Sequence, residues 1–186
     1  VPVLVLDRDG VINEDSDEYI KELSEWHPIP GSIEAICRLS RAGFSIAVAT
    51  NQSGLGRGYF GLDELEAIHQ HLCQLVEEGG GRIDGIFYCP HLPDAGCNCR
   101  KPATGLLRAI EEELDQPLAG SYFIGDSLKD LQAARAYGCR PVLVRTGKGA
   151  GTAEQLRSLK VDLEHPGDIP IYDDLAAAAQ AILDDH

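Results

Sequence analysis

Two carboxylates, Asp7 and Asp9, follow directly on the apolar run Val3–Leu6, with Arg8 between them and Gly10 after. Carboxylates this close repel each other and resist desolvation, so the pair needs a compensating charge or open water. A solvated turn is the plain alternative, since Asp and Gly commonly close a strand. An EF-hand calcium loop fits poorly: its glycine follows three spaced oxygen ligands, whereas Gly10 comes directly after the second Asp. Further along, Thr50 and Asp126 leave other apolar runs, and Lys101 stands where a helix begins. Three acids (Asp7, Asp9 and Asp126) beside a lysine and a short hydroxyl can hold a hard divalent cation, magnesium best, together with a phosphate. The cation relieves the carboxylate repulsion, and Lys101 offsets the phosphate charge.

The elements that must position these residues alternate. β-branched runs recur as "FSIAVAT", "DGIFYC", "SYFIG" and "RPVLVRT" after the first, most of them followed by polar or glycine-containing residues and then a helical pattern. Ile33, Ile36, Cys37 and Leu39 share one helical face that Gly43 ends. Asp63 with Glu66 reads as a capping box for a stripe of Leu65, Ile68, Leu72, Leu75 and Val76. Leu106, Leu107, Ile110 and Leu114 mark a third helix, and Leu128, Leu131 and Ala134 a fourth. The tail "DDLAAAAQAILDD" reads as a last helix and "LEHPGDIPIY" as a loop. This pattern predicts an α/β fold, one domain over 1–186, with a parallel sheet. In such a sheet ligands gather beyond the carboxyl ends of the strands. Asp7 and Asp9, then Thr50, Asn51, Gln52 and Ser53, then Cys89 and His91, then Asp126 all leave strands at that edge.

Composition narrows the partners. A formal net charge of −14 disfavours nucleic acid and anionic membrane. No apolar run reaches the length of a membrane span, and the N-terminus lacks a signal-peptide pattern, so a cytoplasmic monomer acting on a small molecule is expected. Six cysteines would permit three disulfides, but a chain of this size does not need them. Four polarisable donors instead cluster in "CPHLPDAGCNC": Cys89, His91, Cys97 and Cys99, a set suited to tetrahedral zinc. With all four positions filled by protein, the zinc would be structural, and it would fix the adjacent Arg100 and Lys101. A disulfide within the cluster is the competing reading. Cys37, Cys73 and Cys139 read as buried fillers, and His69 and His71, two apart on a helix, diverge too far to share a metal.

"DRDGV", "ATNQSG", "RKP" and "GDSLKD" resemble, in order, the four motifs of the haloacid dehalogenase (HAD) superfamily of phosphatases. The resemblance covers roughly Val3 to Thr146. It implies a Rossmann-like sheet with the first strand central and helices on both faces. It also implies Asp7 as a nucleophile that becomes an aspartyl phosphate, Asp9 as acid and then base, and Thr50 and Lys101 as phosphate binders. Magnesium would be held by Asp7, the Asp9 backbone carbonyl and Asp126, with Asp130 orienting the metal's waters.

Between Asp9 and Thr50 there is room for a loop and one helix, and between the third strand and Lys101 only the cysteine loop, so no separate cap domain is expected. Zinc loops of this kind occur in the subgroup of the superfamily that acts on heptose bisphosphates and on histidinol phosphate. "TNQSGLGRG", "GDSLKDLQAA" and "VRTGKG" look more like the heptose branch. A phosphorylated sugar is therefore the expected substrate. The resemblance brings Asp15, Tyr19, Ser53, Arg100 and Ser127 near the sugar, beside Asn51 and Gln52, with Arg57 available to a second anionic group.

Overall fold

The computed structural model describes residues 2–158 and 160–186. Six strands, β1 (Val3–Leu6), β2 (Ser45–Asn51), β3 (Gly85–Cys89), β4 (Tyr122–Gly125), β5 (Arg140–Val144) and β6 (Ile171–Tyr172), form one parallel sheet in the order β3-β2-β1-β4-β5-β6. β1 lies inside the sheet: Val5 is in register with Ala47 on one side and Phe123 on the other.

Every residue of β1 is buried, because side chains alternate between two covered faces. Leu4 and Leu6 join Ile46, Val48 and Ile124 under α1 (Ser32–Arg41), α3 (Leu62–Glu78) and α7 (Leu175–Asp184). Val3 and Val5 join Ala47, Ala49 and Phe123 under α4 (Gly105–Leu114) and α5 (Leu128–Tyr137). A smaller cluster of Leu131, Leu143 and Leu156 seats α6 (Gly149–Arg157). A single turn of helix, α2 (Ser53–Gly56), follows β2. No helix among the described residues is long and apolar enough to cross a membrane.

The fold corrects three sequence expectations. Asp63 and Glu66 form no capping box; α3 starts two residues earlier than that box requires, with Gly61 as its cap, so Asp63 already lies in the first turn. The capping box is at α5, between Ser127 and Asp130. "LEHPGDIPIY" is more than a loop: it holds a 3-10 turn at Pro166–Asp168 and the two-residue strand β6, too short to show alternation. The sequence reading also passed over α6, whose start in "GKGAG" carries no helical signal.

Parallel strands put all their C-terminal loops on one edge, and one of the close approaches there is at Gly10. Its φ of +85° suits glycine, and a Cβ would run into the Asp126 carboxylate and lie 3.2 Å from the Gly147 Cα. Gly10→Ala should therefore cost about 1–3 kcal/mol of folding stability in denaturant titrations and lower activity as well. Wild-type stability in that variant would contradict the packing described.

Candidate active site

The ammonium of Lys101 is the hub of the edge. Only 3% exposed, it donates to Asp130 Oδ1 at 2.6 Å, the Ala49 carbonyl at 2.9 Å and Asp7 Oδ1 at 3.0 Å. Burial alone would lower its pKa, but the charges of Asp130 and Asp7 outweigh that and raise it, so it stays a cation. Its backbone is fixed by Asn51, whose amide donates to the Lys101 carbonyl and accepts the Lys101 N–H at 3.1 and 3.0 Å. Asn51 thus lines the cleft, but its side chain serves the lysine.

Asp7, Asp126 and Asp130 are buried with carboxylate oxygens close enough to share one ion. Burial and then Asp130 raise the pKa of Asp7 well above the usual range, with Lys101 opposing. Burial and then Asp130 push Asp126 up to about 7. Three acids facing one ammonium leave negative charge in excess, and a hard divalent cation fits that donor set. Asp130, expected to orient the metal's waters, has protein partners as well. It binds Lys101 and accepts the N–H groups of Asp126 and Ser127 at 3.2 Å and the Ser127 hydroxyl at 3.0 Å, tying the start of α5 to the lysine. The Ser127 hydroxyl is therefore already engaged.

Asp9 turns away from that group. Its Oδ1 accepts from Arg8 Nε at 2.8 Å and Asn13 Nδ2 at 3.0 Å, and its Oδ2 from Gln52 Nε2 at 3.0 Å. Burial would raise its pKa, yet the Arg8 charge and these bonds bring it below the ordinary value. Gln52 also donates to Thr50 Oγ1 at 2.9 Å, so one amide aligns the acid with the hydroxyl.

Cys89, His91, Cys97 and Cys99 converge as expected. Cys89 Sγ lies 3.0 Å from Cys99 Sγ, 3.6 Å from Cys97 Sγ and 3.4 Å from His91 Nδ1. No pair is disulfide-bonded, and the donor set matches zinc. The Arg100 N–H lowers the Cys97 thiol to about 6, which joins this loop to the neighbouring cation. The loop is held to α2 by the Gly56 N–H on the Pro90 carbonyl at 3.0 Å, and to α4 by the Gly105 N–H on the Asn98 carbonyl at 2.8 Å. Cys37 and Cys139 are buried fillers, whereas Cys73 is half-buried.

A cleft of about 830 Å³ lies over the carboxylates, lined also by Asp15, Tyr19, Thr50, Ser53, Arg100 and Ser127. Arg57 stands outside that lining, 6.0 Å from the Tyr19 ring centre. Two lysines that the sequence reading missed, Lys129 and Lys148, complete the wall. Burial and then the charges of Arg100 and Lys148 lower the Lys129 pKa, so these cations share a field. Arg100 Nη1 is buried without a hydrogen-bond partner. The signal was present in "GDSLKD" and "RTGKG", where each lysine follows a strand exit by a few residues.

A family model described as HAD-hyrolase-like matches residues 98–178. The chain is 58% identical over 181 residues to the D-glycero-beta-D-manno-heptose-1,7-bisphosphate 7-phosphatase of Pseudomonas aeruginosa, covering 97% of each. It is 40% identical over 156 residues to the protein of that name from Escherichia coli, covering 80% of this chain and 81% of the relative. Its structure resembles that of the D,D-heptose 1,7-bisphosphate phosphatase of B. bronchiseptica complexed with magnesium and phosphate, at 45% identity and a TM-score of 0.92 over the whole of both chains.

The four soft donors generate a prediction. Protein prepared without added metal should contain one zinc per chain by elemental analysis, and Cys97→Ser should lose it and weaken phosphate binding. Metal-free protein with free Cys89, Cys97 and Cys99 thiols and full activity would contradict it.

Proposed function

Because the chain belongs to the HAD-like hydrolases, in the family of the heptose-1,7-bisphosphate 7-phosphatases, we propose that it removes the C7 phosphate of D-glycero-β-D-manno-heptose 1,7-bisphosphate. The relatives' names supply the anomer. The observation that carries the reading is the buried pairing of Asp7 with Lys101 at the floor of a cation-walled cleft.

Asp7 attacks phosphorus, the bond to the C7 oxygen breaks, and Asp9 in its acid form gives that oxygen a proton. Heptose 1-phosphate leaves and an aspartyl phosphate remains. Asp9, now a carboxylate, takes a proton from the water that attacks this phosphate, which restores Asp7 and releases inorganic phosphate. Lys101 and the Thr50 hydroxyl bind the phosphoryl oxygens, and Gln52 keeps Asp9 aligned with Thr50. Asp7, Asp126 and the Asp9 carbonyl would hold magnesium, which when bound offsets the charge of phosphate and carboxylates. Cys89, His91, Cys97 and Cys99 would hold a structural zinc that steadies Arg100.

A primary phosphate on the exocyclic C7 reaches down to Asp7, whereas the one on the anomeric carbon is held against the ring. Arg100, Lys129 and Lys148 then meet the C1 phosphate, while Asp15, Tyr19 and Ser53 flank the sugar. Arg57 acts through Tyr19. The same reading makes the protein a cytoplasmic monomer with neither nucleic acid nor membrane as partner, which its net charge of −14 supports.

Phosphate release tests this. Asp7→Asn should be essentially inactive, and Asp9→Asn should lose about two to four orders of magnitude. Turnover near wild type in Asp7→Asn, with deamidation excluded, would sink the mechanism. Across a substrate panel, Arg100→Ala and Lys129→Ala should chiefly raise KM for the bisphosphate and narrow its advantage over monophosphates, because contacts to the second phosphate persist through the reaction. Histidinol phosphate, with one phosphate and a cationic amine, should be poor; a higher kcat/KM for it would overturn the substrate assignment.

A further inference from the structure

Arg8 is wholly buried between the two catalytic acids, and a buried guanidinium without good partners is costly. Its Nε donates to Asp9 Oδ1 at 2.8 Å, and its Nη1 lies 3.2 Å from Nε2 of His69, a buried residue of α3. Its Nη2 has no partner. Because arginine only donates, His69 Nε2 must accept, and the ring proton is then on Nδ1. Burial and then the Arg8 charge push the His69 pKa down to about 3, so the imidazole is neutral and its acceptor stays available.

We propose that His69 is a positioning residue for phosphate transfer: by holding Arg8 Nη1, it keeps the guanidinium on one oxygen of Asp9 and leaves the other for proton transfer. This rests on the reading of Asp9 as acid and base. An arginine facing a carboxylate favours a two-pronged grip on both oxygens. Here the grip is one-pronged: Oδ1 takes Arg8 and Asn13, whereas Oδ2 takes only Gln52, the amide that also meets Thr50 at the cleft. Without an acceptor at position 69, two guanidinium nitrogens would lack partners, and Asp9 Oδ2 is the acceptor they would turn to. A neutral acceptor suits the task, since it anchors Arg8 without drawing its charge from Asp9. An acidic residue in its place would compete with Asp9 for that charge.

The test separates proton donation from general damage. Transfer to Asp7 is followed in single turnovers by rapid quench with two substrates: the heptose bisphosphate, whose alkoxide leaving group needs a proton, and 4-nitrophenyl phosphate, whose phenolate does not. His69→Leu fills the space but removes the acceptor, and His69→Gln restores one. His69→Leu should slow transfer from the sugar roughly tenfold, a part of the usual worth of a general acid, and from the aryl phosphate less than about twofold, with KM unchanged. His69→Gln should recover most of the loss. Equal slowing on both substrates, no slowing on either, or a Gln variant no better than Leu would overturn the assignment; His69→Ala repeats the comparison if Leu does not fold. Asp9→Asn is the control. If it too fails to discriminate between the substrates, the acid role of Asp9 falls and this inference with it. If it discriminates while His69→Leu does not, only the His69 assignment falls.

Discussion

One buried ammonium group faces two carboxylates directly and a third close by, and the rest of the molecule is arranged around that imbalance. Lys101 satisfies Asp7 and Asp130 by direct contact and leaves Asp126 without a cationic partner at hydrogen-bond distance among the described residues. Burying charge is expensive unless it is paired and hydrogen-bonded. The surroundings supply those bonds: Asn51 fixes the lysine's backbone, the start of α5 surrounds Asp130, and the Lys148 N–H meets Asp126 Oδ2 at 2.9 Å. What they do not supply is charge. The residual negative charge is what a divalent cation and its phosphate ligand complete.

The sheet makes this arrangement rigid. β1 is clamped between β2 and β4 with both faces covered, so Asp7 leaves a strand that cannot shift without disturbing two cores. Above it the cleft is open, and selectivity has to come from short loops. In a chain of net charge −14, Arg100, Lys129 and Lys148 gathered on one wall form a local field for a second anion. The cysteine loop runs directly into Arg100, so a metal held by Cys89, His91, Cys97 and Cys99 would fix the position of that wall as well.

Strands β1 to β5 were legible as short apolar, β-branched runs of the kind a sheet covered on both faces requires, and most helices because each buries one face with a helical period. β6 and α6 were not, since two residues show no alternation and a glycine-rich start shows no cap. The site residues Asp7, Asp9, Thr50, Lys101 and Asp126 could be picked out because their types and order carry the chemistry. Their partners were harder: the bonds of Asp130 to Lys101, of Asn51 to the Lys101 backbone and of Gln52 to Asp9 and Thr50 leave no sign in the sequence, which does not reveal which neighbour a polar side chain meets. His69 was read as sharing no metal with His71, and its contact with Arg8 crosses 61 positions and leaves no local trace.

The charge imbalance is most directly measured by calorimetric titration of magnesium at several pH values, in buffers of different ionisation enthalpy. Asp126, pushed up to about 7, takes up a proton below that pH in the metal-free protein, and burial with the Asp130 charge raises Asp7 as well. A carboxyl whose folded pKa lies above its unfolded value adds stability below the unfolded value, and that contribution is lost as pH rises through the folded one. Magnesium should therefore bind one per chain, displace protons at about pH 6, and bind more tightly with less proton release by about pH 8. Asp126→Asn should abolish both effects. Binding that is independent of pH across that window, without proton release, or unchanged in Asp126→Asn, would contradict the imbalance at the end of β1.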